Sequence, residues 1–159
     1  MVNWREQAPR TKEILEIIIQ SWQEAENDAF LIRETVFVQE QGVPVVLELD
    51  EFDPSAAHAL AYEGTQSVGT GRLVNLGSGE FQIGRMAVLS RFRGRGLGGK
   101  ILEKLIDLAK SQGASKIILH SQVSAIPFYE KLGFQAEGSI FDEAGIAHRN
   151  MILVLPQID

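Results

Sequence analysis

Ten consecutive residues, Arg91-Phe-Arg-Gly-Arg-Gly-Leu-Gly-Gly-Lys100, gather three arginines, one lysine and four glycines. The chain around them is acidic, with a net charge of -6. A basic, glycine-rich segment of this kind is suited to an anion. Glycine lets the backbone approach a ligand closely and take positive φ. Arginine adds charge and forked hydrogen bonding. If a helix starts at the end of the segment, its free N–H groups and dipole favour phosphate. Few other side chains could do covalent or acid–base chemistry. They are three histidines (His58, His120, His148), two tyrosines (Tyr62, Tyr129) and a cluster of carboxylates between Glu40 and Asp53, with no cysteine anywhere.

The elements that must position these residues can be read from periodicity. Ile14 to Ile19 is a β-branched apolar run and suits a strand. From Gln23 to Gln41, Phe30, Leu31, Thr35 and Val38 recur near helical spacing, and Gly42 and Pro44 stop the helix. Glu48 to Ser55 is an acidic loop. His58–Tyr62, Val68–Val74 and Phe81–Leu89 read as a three-stranded meander turned at Gly64 and at Gly77 to Gly79. Leu97, Ile101, Leu102, Leu105, Ile106 and Ala109 form an apolar stripe that predicts a helix directly after the basic segment, ended by Gly113. A short strand Lys116–His120, a short helix Ala125–Leu132, a strand from Phe134 and a last strand Ile146–Leu155 follow. This order predicts an α/β fold, with a mixed sheet and helices on both faces. The length, 159 residues, fits one domain spanning 1–159.

Composition narrows the class. Hydrophobic residues make up 45% and charged residues 23%, the profile of an ordinary globular chain. The acidic balance argues against nucleic acid as a partner. No apolar run is long enough to span a bilayer, and the first residues lack the plan of a signal peptide. The lack of cysteine removes disulfides, thiolate metal sites and a cysteine nucleophile together. The expected compartment is the cytoplasm. The Asp and Glu residues do not follow calcium-loop spacing, so no metal is expected.

Three phosphate-binding loops could use a glycine-rich helix start. A Walker loop needs Gly-Lys-Ser or Gly-Lys-Thr, and here Ile101 follows Lys100, so that reading fails. Gly94-Arg-Gly-Leu-Gly-Gly99 matches the dinucleotide string Gly-x-Gly-x-x-Gly. That fingerprint belongs on the first strand of a parallel βαβ unit, whereas this loop is mid-chain and follows a meander. The third candidate is a coenzyme A pyrophosphate loop. Arg93-Gly-Arg-Gly-Leu-Gly98 resembles the Arg/Gln-x-x-Gly-x-Gly/Ala loop of the GNAT family of N-acetyltransferases. Ile83-Gly-Arg-Met-Ala-Val-Leu89 resembles that family's central strand. Ala125-Ile-Pro-Phe-Tyr-Glu-Lys-Leu-Gly-Phe134 resembles its Phe-Tyr-x-x-x-Gly-Phe segment. Val36 to Pro44, Asp50 to His58 and Gly145 to Met151 are similar to an uncharacterised bacterial subgroup of the family.

The resemblance implies a largely antiparallel mixed sheet in which two parallel strands, ending at Leu89 and His120, splay apart. Acetyl-CoA would lie in the splay as cosubstrate. Met86, Ala87 and Val88 would offer backbone partners to the pantetheine. Arg93, Gly94, Arg95, Gly96, Leu97, Gly98 and Gly99 would hold the pyrophosphate, with Arg91 or Lys100 as further charge. The implied reaction is direct attack of an amine on the thioester. An alkylammonium, with a pKa of about 10.4, must first lose a proton, and the leaving thiolate must gain one. Tyr129 matches the tyrosine the family uses as that acid. Many relatives place a glutamate early in the central strand, where this chain has Arg85, with Glu80 further back. His120, at the end of the splayed strand, is the expected base on position, with His148 and His58 as further candidates.

The acceptor side should come from the first helix and the loop after it, where Glu40, Glu48, Asp50, Glu51 and Asp53 form an acidic rim suited to a cationic amine. Taken singly, each reads as a solvated loop residue. Arg33 is expected to pair with one of them or to meet an acidic acceptor. The predicted function is acetyl transfer from acetyl-CoA to a primary amine of a small molecule or peptide. The alternatives are an acyl-homoserine-lactone-synthase-like acyltransferase and a non-catalytic acyl-CoA-binding regulatory module. A homodimer is implied by the resemblance alone.

Overall fold

The computed structural model describes residues 15–47 and 49–157. Seven strands form a single sheet: β1 (Leu15–Ser21), β2 (Ala57–Glu63), β3 (Gln66–Gly77), β4 (Glu80–Val88), β5 (Lys116–Gln122), β6 (Gln135–Glu143) and β7 (Ile146–Val154). Their order is β1-β2-β3-β4-β5-β7-β6, and every neighbouring pair is antiparallel except β4 with β5. The expected meander and mixed sheet are therefore present. Ile14, expected to open the first strand, lies outside the described residues.

Two helices cover opposite faces. In β2, alternation sends Leu60 to one face and Ala59 and Ala61 to the other. Leu60 packs with Ala25, Ala29, Ile32 and Val36 of the first helix, α1 (Trp22–Arg33), and its continuation. Ala59 and Ala61 join the larger core under α2 (Leu97–Ser111). All six positions of the apolar stripe in α2 are buried. Glycines in β3 let α2 sit close to the sheet. A Cβ on Gly69 would fall 2.8 Å from Ile101 Cδ1, and one on Gly71 would fall 2.9 Å from Leu105 Cδ1.

Helix α1 does not run on as one α-helix to Gln41. It passes into a π-helical segment, Glu34–Glu40, closed by the Gln41 N–H donating to Val36 O and by Gly42 at φ 74. The expected helix from Ala125 is a 3₁₀ turn, Val123–Ala125, followed by the short α3 (Ile126–Glu130). Pro127 at its start and Gly133 at φ 97 beyond its end bound it.

Strands β4 and β5 pair over three residues only, from Glu80 with Lys116 to Gln82 with Ile118. The register of β3 with β4 then shifts: Arg72 faces Gly84, but Thr70 faces Ala87. Arg85 and Met86 thus oppose the single Gly71, which is a β-bulge. Arg85 takes φ 52, a left-handed conformation that costs a non-glycine residue about 1–2 kcal/mol. Gly71 makes room for it, because a Cβ there would lie 2.6 Å from Met86 Sδ. The bulge bends β4 away from β5 and opens the sheet.

Candidate active site

The opened sheet leads to two regions with different chemistry. At its end β4 runs into the glycine loop. Leu89 N–H donates to Val68 O on β3, so strand alternation turns the N–H and C=O of Val88 away from β3, toward the splay. Val88 O already accepts a hydrogen bond from Arg93 Nε at 2.8 Å. Ala87 faces the other way: its backbone is opposite Thr70 and its side chain is buried in the core under α1.

The loop itself has the form an anion needs. Gly94 and Gly96 take φ 78 and 77, and a Cβ on either would meet nothing within 4 Å. Gly96 is the N-cap of α2, so the first N–H groups of the helix point out from Leu97, Gly98 and Gly99. Leu97 offers its backbone only, since its side chain is in the core. A Cβ on Gly98 would touch Phe128 at 3.5 Å, so Phe128 borders the loop from α3. Arg91 and Arg95 both lie against the Phe92 ring, 4.9 and 5.4 Å from its centroid. Arg91 also donates to Gln66 Oε1 at 2.7 Å. Arg93 reaches back to α1's extension, with Nη2 at 3.1 and 2.9 Å from the two carboxylate oxygens of Glu40.

Between the splayed β4 and β5 lies a cavity of about 690 Å³. Phe37 and Gln41 wall it from the π-helical segment, Asp50 and Phe52 from the acidic loop, Arg72 and Met86 from the bulged strands. His120, Tyr129, Glu143 and His148 close it from β5, α3 and the last hairpin. Met86 alone of the expected coenzyme A residues reaches this cavity. The structure therefore brings Tyr129, His120 and His148 together and leaves His58 and Glu80 out. His58 is buried, with Nε2 2.9 Å from Asp53 O, and burial holds its pKa below the ordinary value. Glu80 stands at the paired end of β4, 3.8 Å from Lys116.

Ring contacts hold Tyr129 in place. Its ring meets Phe128 and Phe134 edge-on, at 4.9 and 6.0 Å between centroids. Burial pushes its pKa up to about 12. A phenol so placed stays protonated at neutral pH, as a proton donor must.

The acidic loop is not a solvated rim. Asp53 is 1% exposed and takes Arg33 in a two-pronged pair at 2.9 and 3.1 Å. Arg72 Nη1 bridges Asp50 at 2.7 Å and Asp53 at 3.1 Å. Arg85 Nη2 reaches Asp50 at 3.0 Å. Burial raises both carboxyls, but the hydrogen bonds and charges of Arg72 at Asp50 and of Arg33 at Asp53 outweigh it and hold them below 3.8. The expectation of singly solvated acids is thus corrected at Asp53 and Asp50; Glu51 remains exposed, and Glu48 lies outside the described residues. The expected partner of Arg33 is Asp53. Arg72 and Glu143 carried no expectation. Arg72 could have been suspected, because a charged residue inside the apolar run Val68–Val74 needs a buried partner.

The chain belongs to the GNAT acetyltransferase family, for the acetyltransferase (GNAT) domain matches residues 20–155. The uncharacterized N-acetyltransferase YjcF of Bacillus subtilis (strain 168) is 38% identical over 139 residues, which is 87% of this chain and 99% of that protein. An acyl-CoA N-acyltransferase from Pseudomonas aeruginosa superposes with a TM-score of 0.80 at 25% identity, covering 89% of this chain and all of that one. ElaA of Escherichia coli shares the fold, with a TM-score of 0.79 at 21% identity over 88% of this chain and 99% of that one. Among the described residues no helix is long and apolar enough to cross a membrane.

Proposed function

We propose that the chain transfers the acetyl group of acetyl-CoA to a primary amine of a small molecule or peptide. One arrangement carries the reading. The bulge at Arg85 parts β4 from β5, so that β4 lines a cavity holding Tyr129 and His120 and then runs on into a glycine-capped helix start. The residues fit the cosubstrate. Gly94 and Gly96 leave open space beside free N–H groups, and Val88 N–H lies on the open side of β4. Acetyl-CoA would supply the acetyl thioester. Arg93, Arg95 and the N–H groups of Leu97 to Gly99 would hold its pyrophosphate.

His120 takes one proton from the acceptor ammonium, freeing the nitrogen lone pair to form the new C–N bond. Tyr129 gives its proton to the sulfur as the C–S bond breaks. The second nitrogen proton restores the phenol by way of solvent, and the imidazolium returns its proton to water. The balance is ammonium plus thioester to amide, thiol and one proton. Calorimetric titration with acetyl-CoA, with NAD as control, followed by a thiol-release screen of amines, tests the reading. Saturable binding of acetyl-CoA alone, with turnover of an amine, is the expected result. Preference for NAD, or no binding, rejects it.

A further inference from the structure

Glu143 ends β6 at the tight turn into β7, where Ala144 and Gly145 take φ 54 and 80. Its carboxylate binds one imidazole and lies near a second. Oε1 lies 2.9 Å from His120 Nδ1, and Oε2 lies 3.6 Å from His148 Nε2. His148 Nδ1 in turn donates to Ile146 O at 2.7 Å. Phe141 packs between the rings, edge-on to His120 at 5.3 Å and stacked on His148 at 6.0 Å. The hydrogen bond to His120 ties the turn after β6 to β5.

The bond to Glu143 decides which nitrogen of His120 can act. A carboxylate only accepts hydrogen bonds, so Nδ1 must carry the proton. The lone pair of the neutral ring then falls on Nε2, which no hydrogen bond engages among the described residues. Without Glu143 the ring would share its proton between both nitrogens, and part of the population could not accept one at Nε2.

We infer that Glu143 is a positioning residue that locks His120 as the Nδ1–H tautomer and leaves Nε2 to take the proton of the acceptor ammonium. The inference rests on the acetyltransferase reading above. The proton passes from the ammonium to Nε2 and leaves the imidazolium for solvent, to which the side chain is 37% exposed.

The test compares wild type with Glu143→Gln and Glu143→Asp. Glu143 is half-exposed, and thermal melts show whether each variant keeps its fold. Nitrogen-15 spectra of the histidine rings should show Nδ1 of His120 protonated in wild type and mixed tautomers in E143Q. With acetyl-CoA and an alkylamine turned over by wild type, E143Q should lose roughly 10- to 100-fold in kcat, part of the ~10²–10⁴ a general base supplies. Its KM for acetyl-CoA should not move. With a weakly basic arylamine, already neutral at assay pH, the loss should be several-fold smaller. Glu143→Asp, one methylene short of Nδ1, should behave like E143Q. An Nε2-protonated His120 in wild type, or equal loss on both amines, overturns the inference. Wild-type turnover with E143Q unimpaired removes Glu143 alone, and a wild type that acetylates no amine removes the enzyme reading with it.

Discussion

Arg33 and Asp53, twenty residues apart in the chain, form a two-pronged ion pair whose side chains are 1% and 2% exposed. It ties α1 to the loop that walls the cavity, and Arg72 extends it to Asp50. Removing one partner of a buried pair typically costs about 3–5 kcal/mol. Asp53→Asn should therefore lower unfolding free energy by that order in a denaturant titration. The pH dependence has a definite sign. Asp53 is held below 3.8, so its contribution is complete at neutral pH and is lost as pH falls below that value. Asp53→Asn should flatten the acid limb of stability. An unchanged acid limb would show that Asp53 is not the carboxyl responsible.

Gly96 tests the loop. Gly96 takes φ 77, and a Cβ added there meets nothing within 4 Å, so Gly96→Val is strained in its backbone and not by a clash at Cβ. The left-handed backbone costs the variant about 1–2 kcal/mol. The fold should survive, with a melting point a few degrees lower. Acetyl-CoA binding by calorimetry should be lost, because the new side chain stands where a pyrophosphate would approach the N–H groups of α2. Normal binding in a folded variant would mean that the anion, if there is one, sits elsewhere.

Tyr129→Phe keeps both edge-on ring contacts and removes only a hydroxyl. Its stability should change by less than about 1 kcal/mol. Turnover should fall by roughly 10²- to 10⁴-fold if the phenol protonates the leaving sulfur, while acetyl-CoA affinity stays constant. Since the wild-type pKa is pushed to about 12, Tyr129 should add no limb to the rate profile below about pH 11. A variant with full turnover would reduce Tyr129 to a packing residue.

What the sequence made legible was local. The helix after the basic segment could be read because six apolar positions repeat on one face, and all six are buried. The meander could be read from turns at Gly64 and Gly79. What it hid depends on long-range geometry. The splay hangs on one left-handed residue, Arg85, of a type with no preference for that conformation. Asp53 looks like any loop acid until Arg33 and Arg72, from α1 and β3, close over it. Glu143 reads as a turn residue until β5 and β7 bring His120 and His148 to it. His120 could be placed from its strand end, whereas its carboxylate partner could not.

The contact of Arg93 with Glu40 predicts a competition. Arg93 Nη2 is engaged by both oxygens of Glu40, and Nε by Val88 O. In the proposed complex the same guanidinium faces pyrophosphate and the same carbonyl faces pantetheine. Glu40 then opposes cosubstrate binding, both by holding Arg93 and by placing negative charge near the loop. Both partners are partly exposed, at 45% and 34%, and pairs of this kind are worth up to about 1 kcal/mol. Glu40→Gln should thus tighten acetyl-CoA binding by at most about fivefold at low salt, with the gain shrinking as salt screens the pair. Arg93→Gln should weaken it in either background. Equal affinity of wild type and Glu40→Gln, with Arg93→Gln still weak, would show that Arg93 serves both partners at once and that the loop needs no release before the cosubstrate binds.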